Sequence, residues 1–313
     1  MNTKRNEFEV ISHRKIKHIN IIVNKINYRS FHMHNDFELI IVLSGTGLIR
    51  TARKTYRVAE GSIVILNSFE MHEIDAGDEG IEVLIYQISN HFLREYAPYF
   101  RFAVFEDNWV DGYFTNEQTD NFVAMAIHGA KVFFGGDGLY ELECVSTIAK
   151  MVRMLLCYCP TLTLSEKDYH QKKRGAQRID RIYSYIDENY NTSIRLTDVA
   201  ESEGISSTHL SHLFTSTFGE SFQEYVNNLR FEHALRIIGE SKLSLREVAE
   251  QSGFSDPKYM TKMFENKLGI MPKDYRHSLL SKPSKGPGKN SPLERIYSDE
   301  EALELFRKIN ENK

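Results

Sequence analysis

The chain has 313 residues, with 41% hydrophobic and 26% charged side chains, a length that suits two domains with cores of their own. Its 39 Lys and Arg against 43 Asp and Glu give a net charge of −4, which excludes a uniformly basic nucleic-acid binder. No run of eighteen apolar residues and a polar start predict neither a membrane span nor a secretory signal; three cysteines suit a reducing cytoplasm rather than a disulfide framework.

Residues 1–18, with Arg5, His13, Arg14, Lys15, Lys17 and His18, read as a polar N-terminal arm. Short β-branched runs then follow at 19–23, 39–43, 48–51, 55–58, 63–66 and 81–88, separated by turns at 44–47, 60–61 and 75–80. Many short strands without intervening helices predict an antiparallel β jelly-roll or barrel over 19–110. The stretch His32-Met33-His34-Asn35-Asp36-Phe37-Glu38, closed by Gly45, resembles the first cupin motif. The segment 61–72 resembles the second less closely, with Asn67 where Pro is usual and Phe69 where Gly is usual.

His32 and His34, two apart on a strand, share a face, Glu38 keeps that parity if the strand is unbroken, and His72 comes from a neighbouring strand. Three imidazoles and a carboxylate could hold a transition metal with positions left open; they can equally line a polar pocket or be satisfied core groups. Phe31, His32, His34, Glu38, His72 and Tyr86 together offer hydrogen-bonding groups beside an aromatic face, the mixture that suits a small carbohydrate effector. The preferred reading has no cofactor; the alternative is a metal-dependent cupin enzyme or a metal sensor.

Helices are predicted at 117–134 and 139–159, broken by Gly135-Gly136-Asp137-Gly138, so that 111–160 forms a helical hairpin. The second carries Leu142, Val145, Ile148, Ala149, Val152, Leu155 and Leu156 as a buried stripe, with Cys144, Cys157 and Cys159 read as small buried hydrophobes. Residues 161–177 are polar and charged and read as a linker.

From 178 to 280 the chain repeats itself. Leu196, Val199, Ala200, Gly204, Leu210, Leu213, Phe214, Gly219 and Tyr225 recur as Leu245, Val248, Ala249, Gly253, Met260, Met263, Phe264, Gly269 and Tyr275. Each copy reads as a short helix, a turn at a left-handed Gly and a second helix capped by Ser206 or by Asp256-Pro257. A longer helix between them opens on a Ser221/Glu224 capping box, and the second copy on Ser244/Glu247. The segment from Ala249 to Arg276, including Gly253-Phe254-Ser255-Asp256, Phe264, Gly269, Pro272 and Tyr275-Arg276, resembles the signature of the AraC/XylS family of bacterial transcription regulators. It departs at Glu265 and Met271.

That resemblance implies a fold and a function. The expected fold is α+β multidomain: an antiparallel cupin-like barrel with a helical hairpin, then an all-α double helix-turn-helix. The implied function is effector-responsive, sequence-specific DNA binding, usually activation through RNA polymerase, by a cytoplasmic homodimer paired through the hairpin, with the arm closing over the ligand. Family positions that meet DNA fall on Thr208, Ser211 and His212, and on Lys258, Thr261 and Lys262; Ser207 also lies on the outward face. Over 171–280, fifteen basic residues balance fifteen acidic ones. Phosphate affinity must therefore come from local cations such as Lys172, Lys173, Arg174, Arg230, Arg236, Lys258, Lys262, Lys273 and Arg276. Residues 281–313 form a linker and a tail helix beyond the usual family end, expected to dock on its own chain.

Overall fold

A computed structural model of the chain describes residues 8–9, 11, 13, 15–136, 138–218, 221–240, 243–281 and 294–311. Arg5, Arg14, Asp137, Gly219 and the linker at 282–293 lie outside the described residues, as does the side chain of Arg236. In chain order the strands are β1 (Phe8–Glu9), β2 (Ile19–Ile26), β3 (Tyr28–His34), β4 (Phe37–Thr51), β5 (Thr55–Ala59), β6 (Ile63–Leu66), β7 (His72–Asp75), β8 (Ile81–Ile88), β9 (Ala103–Phe105), β10 (Thr161–Thr163) and β11 (Glu294–Ile296). The helices are α1 (Asn116–Gly135), α2 (Tyr140–Tyr158), α3 (Glu166–Asn189), α4 (Leu196–Ser202), α5 (Ser207–Phe218), α6 (Phe222–Glu240), α7 (Leu245–Gln251), α8 (Pro257–Leu268), α9 (Pro272–Ser281) and α10 (Asp299–Glu311). Two compact units result, 1–176 with 291–313, and 177–290.

The first unit is a curled sheet in the order β1-β3-β7-β4-β8-β2-β11, with β5 and β6 also paired to β4. Its centre is the long strand β4, whose first half pairs with β6 and β8 and whose second half pairs with β5 and β7. The unbroken apolar run at 39–43 follows from this position. Ile40 and Val42 join the inner core with Val58, Val64, Ile74 and Val83, while Leu39, Ile41 and Leu43 face the helical layer on the other side. A strand covered on both faces has no polar alternation to show.

The helical hairpin packs on that outer face. Thr115 and Gln118 form a capping box that starts α1, and Gly136, at φ 65°, ends it. Helix α2 buries Cys144, Ile148, Met151, Val152 and Leu155. Leu142, expected in the stripe, is 67% exposed, and Cys157 is exposed rather than buried. Each lies two residues from a buried position, about 200° around the helix.

Two further segments differ from expectation or complete it. Residues 161–177 are not a linker but β10 and the first half of α3. The Asp168 amide donates to Ser165 Oγ at 3.1 Å, and Tyr169, Ala176, Ile182 and Ile186 are buried along α3. The charged composition there is the solvated face of a helix. The tail docks on the first unit: β11 extends the sheet antiparallel to β2, and α10 buries Ala302 and Phe306 beside α1, with Phe306 stacked on Phe134. The second unit is thus inserted in the chain between two segments of the first.

In the second unit both copies fold as written. Val199, Ala200, Leu210 and Phe214 are buried in one, Val248, Ala249, Met260 and Phe264 in the other. The closing aromatic contact is duplicated too, with ring centroids 5.7 Å apart for Phe214–Tyr225 and 5.5 Å for Phe264–Tyr275.

Candidate functional site

Strands β3 and β7 bring the imidazoles together. His32 and His34 share a face of β3, and His72 sits directly opposite His32, their rings 4.0 Å apart. The strand does not run unbroken to Glu38. It bends at Asn35 and Asp36 before β4 begins, and the bend folds Glu38 back so that His34 Nε2 lies 3.0 Å from its Oε2. His72 Nε2 is 3.5 Å from the other carboxylate oxygen. All four side chains are buried, and one ligand atom from each lies within 4.8 Å of the others.

The protons of the cluster follow from its hydrogen bonds. Nδ1 of His32, His34 and His72 lies 2.9 Å from the carbonyl oxygen of Ser30, Asp36 and Glu70 respectively. A carbonyl only accepts, so each Nδ1 carries the proton and each neutral ring turns an Nε2 lone pair inward. At His34 that nitrogen meets a carboxylate and needs a second proton. Burial pulls its pKa down, but the charge and hydrogen bond of Glu38 outweigh this and raise it. Burial would likewise raise Glu38, yet His34 holds it well below the usual carboxylate range. Burial, then the nearby Arg29 charge, pushes His32 well below its ordinary value. Nε2 of His32 and of His72 is buried without a hydrogen-bond partner. Gln87 Nε2 donates to Glu38 at 2.9 Å, and Asn20 donates to Gln87 Oε1 at 2.7 Å, which fixes the orientation of that amide.

Of the six residues read as effector-binding, four converge. Phe31 is half-buried at a β-bulge between Arg29 and His32. Tyr86 is on the wrong face: it pairs in register with Leu39, opposite the parity of Glu38, and its hydroxyl donates to Ala126 O on α1. Trp109 stacks on Tyr56 in the inner core.

Several residues that sequence reasoning missed surround the cluster. Arg29 is clamped by Glu9 and by Glu294 of the tail, the latter at 2.6 Å. His13 of the arm lies 2.7 Å from Asp36 in the bend. Phe69 adopts φ 61°, a left-handed conformation that costs a non-glycine residue about 1–2 kcal/mol. Its amide donates to His34 O at 2.8 Å, and its ring meets Tyr169 of α3, whose hydroxyl accepts from Asn90 at 2.6 Å. The signal for Phe69 was present in the motif, where Gly is usual.

On the helix-turn-helix face, Thr208, Ser211, His212, Lys258 and Lys262 are exposed. Ser207 and Thr261 are half-covered, and the Thr261 hydroxyl donates to Pro257 O at 3.1 Å. Tyr259, missed in the sequence, is 61% exposed on α8. Arg230 is not a free phosphate contact: it donates to Tyr190 O and Thr192 O, both at 2.8 Å. Lys172 is half-buried in the first unit, its pKa lowered chiefly by burial.

Comparison with known proteins adds independent findings. A model described as a helix-turn-helix domain matches residues 199–278, and one described as an AraC-like ligand binding domain matches 22–105. The uncharacterized HTH-type transcriptional regulator YijO of Escherichia coli is 33% identical over 141 residues, 45% of this chain and 49% of that one, so the match spans about half of it. YfiF of Bacillus subtilis, also an uncharacterized HTH-type transcriptional regulator, is 25% identical over 261 residues, 78% of each chain. The lactose operon transcription activator of Staphylococcus xylosus is 25% identical over 256 residues, 76% of this chain and 83% of that one.

Proposed function

We infer the function from one premise: the chain belongs to the AraC/XylS family of transcription regulators, carrying a matched ligand-binding domain and a matched helix-turn-helix domain. It is a DNA-binding regulator, not an enzyme. Among the described residues no helix is long and apolar enough to cross a membrane. The finer reading is an activator, working as a homodimer with RNA polymerase, whose effector is a carbohydrate held near His32, His34, Glu38 and His72. The name of the Staphylococcus xylosus relative supports both the activation and the sugar.

One observation carries the coupling. The His34 carbonyl holds the Phe69 amide, the Phe69 ring rests on Tyr169, and the same helix α3 runs on to bury Ile182 and Ile186 in the second unit. An effector that favours one arrangement of the His34 bend thereby favours one arrangement of α3, and reciprocally DNA binding changes effector affinity.

The test is selection of bound sites from random duplex DNA by the full chain, followed by DNA titration with and without a panel of mono- and disaccharides. Selected sites should carry two sequence elements about 34 Å apart on one DNA face. One sugar should shift DNA affinity for the wild type, and Phe69→Gly should bind DNA unchanged but lose that shift. If no sugar alters binding, the barrel is a structural platform and the carbohydrate reading fails.

A further inference from the structure

We propose that His32, His34, Glu38 and His72 bind one divalent first-row transition-metal ion through the three Nε2 atoms and the Glu38 carboxylate. The donor geometry comes first. Metal–nitrogen bonds of about 2.0–2.1 Å place tetrahedral neighbours about 3.3 Å apart. The contacts of 3.0 and 3.5 Å from Glu38 to His34 and His72 bracket that spacing, and the whole set lies within 4.8 Å. Drawing donors up to 4.8 Å apart in to that spacing requires side-chain movements of up to about 0.8 Å each.

The donor chemistry points the same way. With each Nδ1 proton committed to a backbone carbonyl, three Nε2 atoms and the carboxylate converge on one buried point; Nε2 of His32 and of His72 has no donor, and Nε2 of His34 becomes a ligand once a cation displaces the proton it shares with Glu38. Buried acceptors without a partner are costly, and a metal ion satisfies all four at once. An Nδ1–H held by a carbonyl is also the hydrogen bond that orients a metal-ligating imidazole, and the Asn20–Gln87–Glu38 chain does the same for the carboxylate. The charge around the cluster is mixed. Asp36, Glu9 and Glu294 lie around Glu38, against Arg29 and the arm's His13.

The inference uses the pocket on which the effector reading rests, but its test does not depend on DNA or on a sugar. Full-length protein treated with chelator and dialysed is titrated with Co²⁺ alone, while visible absorption and thermal unfolding are followed. Ligand-field bands that saturate at one equivalent are expected, with Tm raised by about 5–10 °C when Co²⁺ stands a hundredfold above its Kd. Glu38→Gln, which keeps the shape of the side chain, should weaken Co²⁺ binding at least about tenfold. His72→Ala should abolish the bands, and circular dichroism reports whether each variant is folded. His128→Ala, on the exposed His128–Glu143 pair of the helical hairpin, should leave the titration unchanged.

Three results would overturn the assignment: neither bands nor a Tm shift at one equivalent, bands that survive in folded Glu38→Gln and His72→Ala, or bands lost in His128→Ala. The two readings separate cleanly. Stoichiometric Co²⁺ uptake with no sugar effect on DNA sustains the metal site and removes the carbohydrate, while a sugar effect in protein that takes up no Co²⁺ does the reverse.

Discussion

Gly204 and Gly253 hold the same place in two copies of one motif, at φ 62° and 81°. A methyl group built on Gly204 would meet nothing within 4 Å, but on Gly253 it would lie 2.4 Å from Asn191 Cα and 2.8 Å from Tyr190 O. The difference comes from the loop after α3, which passes against the second turn. Arg230 fastens that loop through the Tyr190 and Thr192 carbonyls, and His233 packs its ring on Tyr190. Both copies need a left-handed residue to turn. Only the second also needs the absent side chain, because another stretch of backbone occupies the space.

The largest expected effect tests that distinction. Gly204→Ala should cost about 1–2 kcal/mol, the left-handed penalty alone. Gly253→Ala adds a backbone clash of the kind that overpacking produces and should cost about 2–5 kcal/mol. Equal losses in the denaturation midpoints of the two variants would show that the loop yields freely and that the copies are equivalent.

The second contrast is on the DNA-facing surface. The second copy presents Lys258 and Lys262 with exposed Tyr259, while the first presents Thr208, Ser211 and His212. Lys262→Ala should cost about 1–3 kcal/mol in specific binding and relax selectivity at one position if it reads a base. The double variant Lys258→Ala/Lys262→Ala should lower the slope of log K against log salt by about 2, whereas Thr208→Ala/Ser211→Ala should leave the slope unchanged. A slope that falls with the first copy's substitutions instead would reverse the assignment of charge-dependent affinity.

These contrasts also separate what was legible in the amino-acid sequence from what was not. The duplicated Leu, Val, Ala, Gly and Phe positions were readable because helical spacing and glycine turns are local requirements. In the cluster of His32, His34, Glu38 and His72, strand parity placed His32 and His34 on one face, while Glu38, beyond the bend at Asn35 and Asp36, was legible from the motif alone. Tyr86 failed on the same logic: its face depends on the β4–β8 register, which pairs it with Leu39. Gly253's close approach, Arg230's two carbonyls and Phe69's ring on Tyr169 are contacts between segments distant in sequence, and composition carries no trace of them. The charged stretch before 177 misled because a solvated helix face and a linker share a composition.

Sulfhydryl access offers a smaller check on the first unit, set against the second, which has no cysteine. Burial raises the thiols of Cys144 and Cys159 to about 11, while Cys157 is exposed. One thiol per chain should react with a neutral disulfide reagent at pH 8 in the native state, and three after denaturation. Three reactive thiols in the native protein would mean that α2 is not packed as described.

The smallest effect concerns how the copies begin. Helix α7 opens on a reciprocal capping box: the Ser244 amide donates to Glu247 at 2.7 Å and the Glu247 amide donates to Ser244 Oγ at 3.2 Å. Helix α4 opens at Arg195, which has no hydroxyl to offer, and keeps one half of the exchange, its amide donating to Asp198 at 3.2 Å. Hydrogen bonds from the Ser244 side chain, then from its backbone, lower the Glu247 pKa in the folded state. A group whose folded pKa lies below its unfolded value stabilises the fold above the unfolded pKa, about 4.3 for Glu, and loses that contribution as pH falls through the folded value. Loss of the N-cap hydroxyl in Ser244→Ala should cost about 1 kcal/mol, and Glu247 should return towards its ordinary titration. Carboxyl ¹³C shifts followed through acid pH would decide it. Glu247 titrating at or above the ordinary value in the wild type would leave the second copy no better capped than the first.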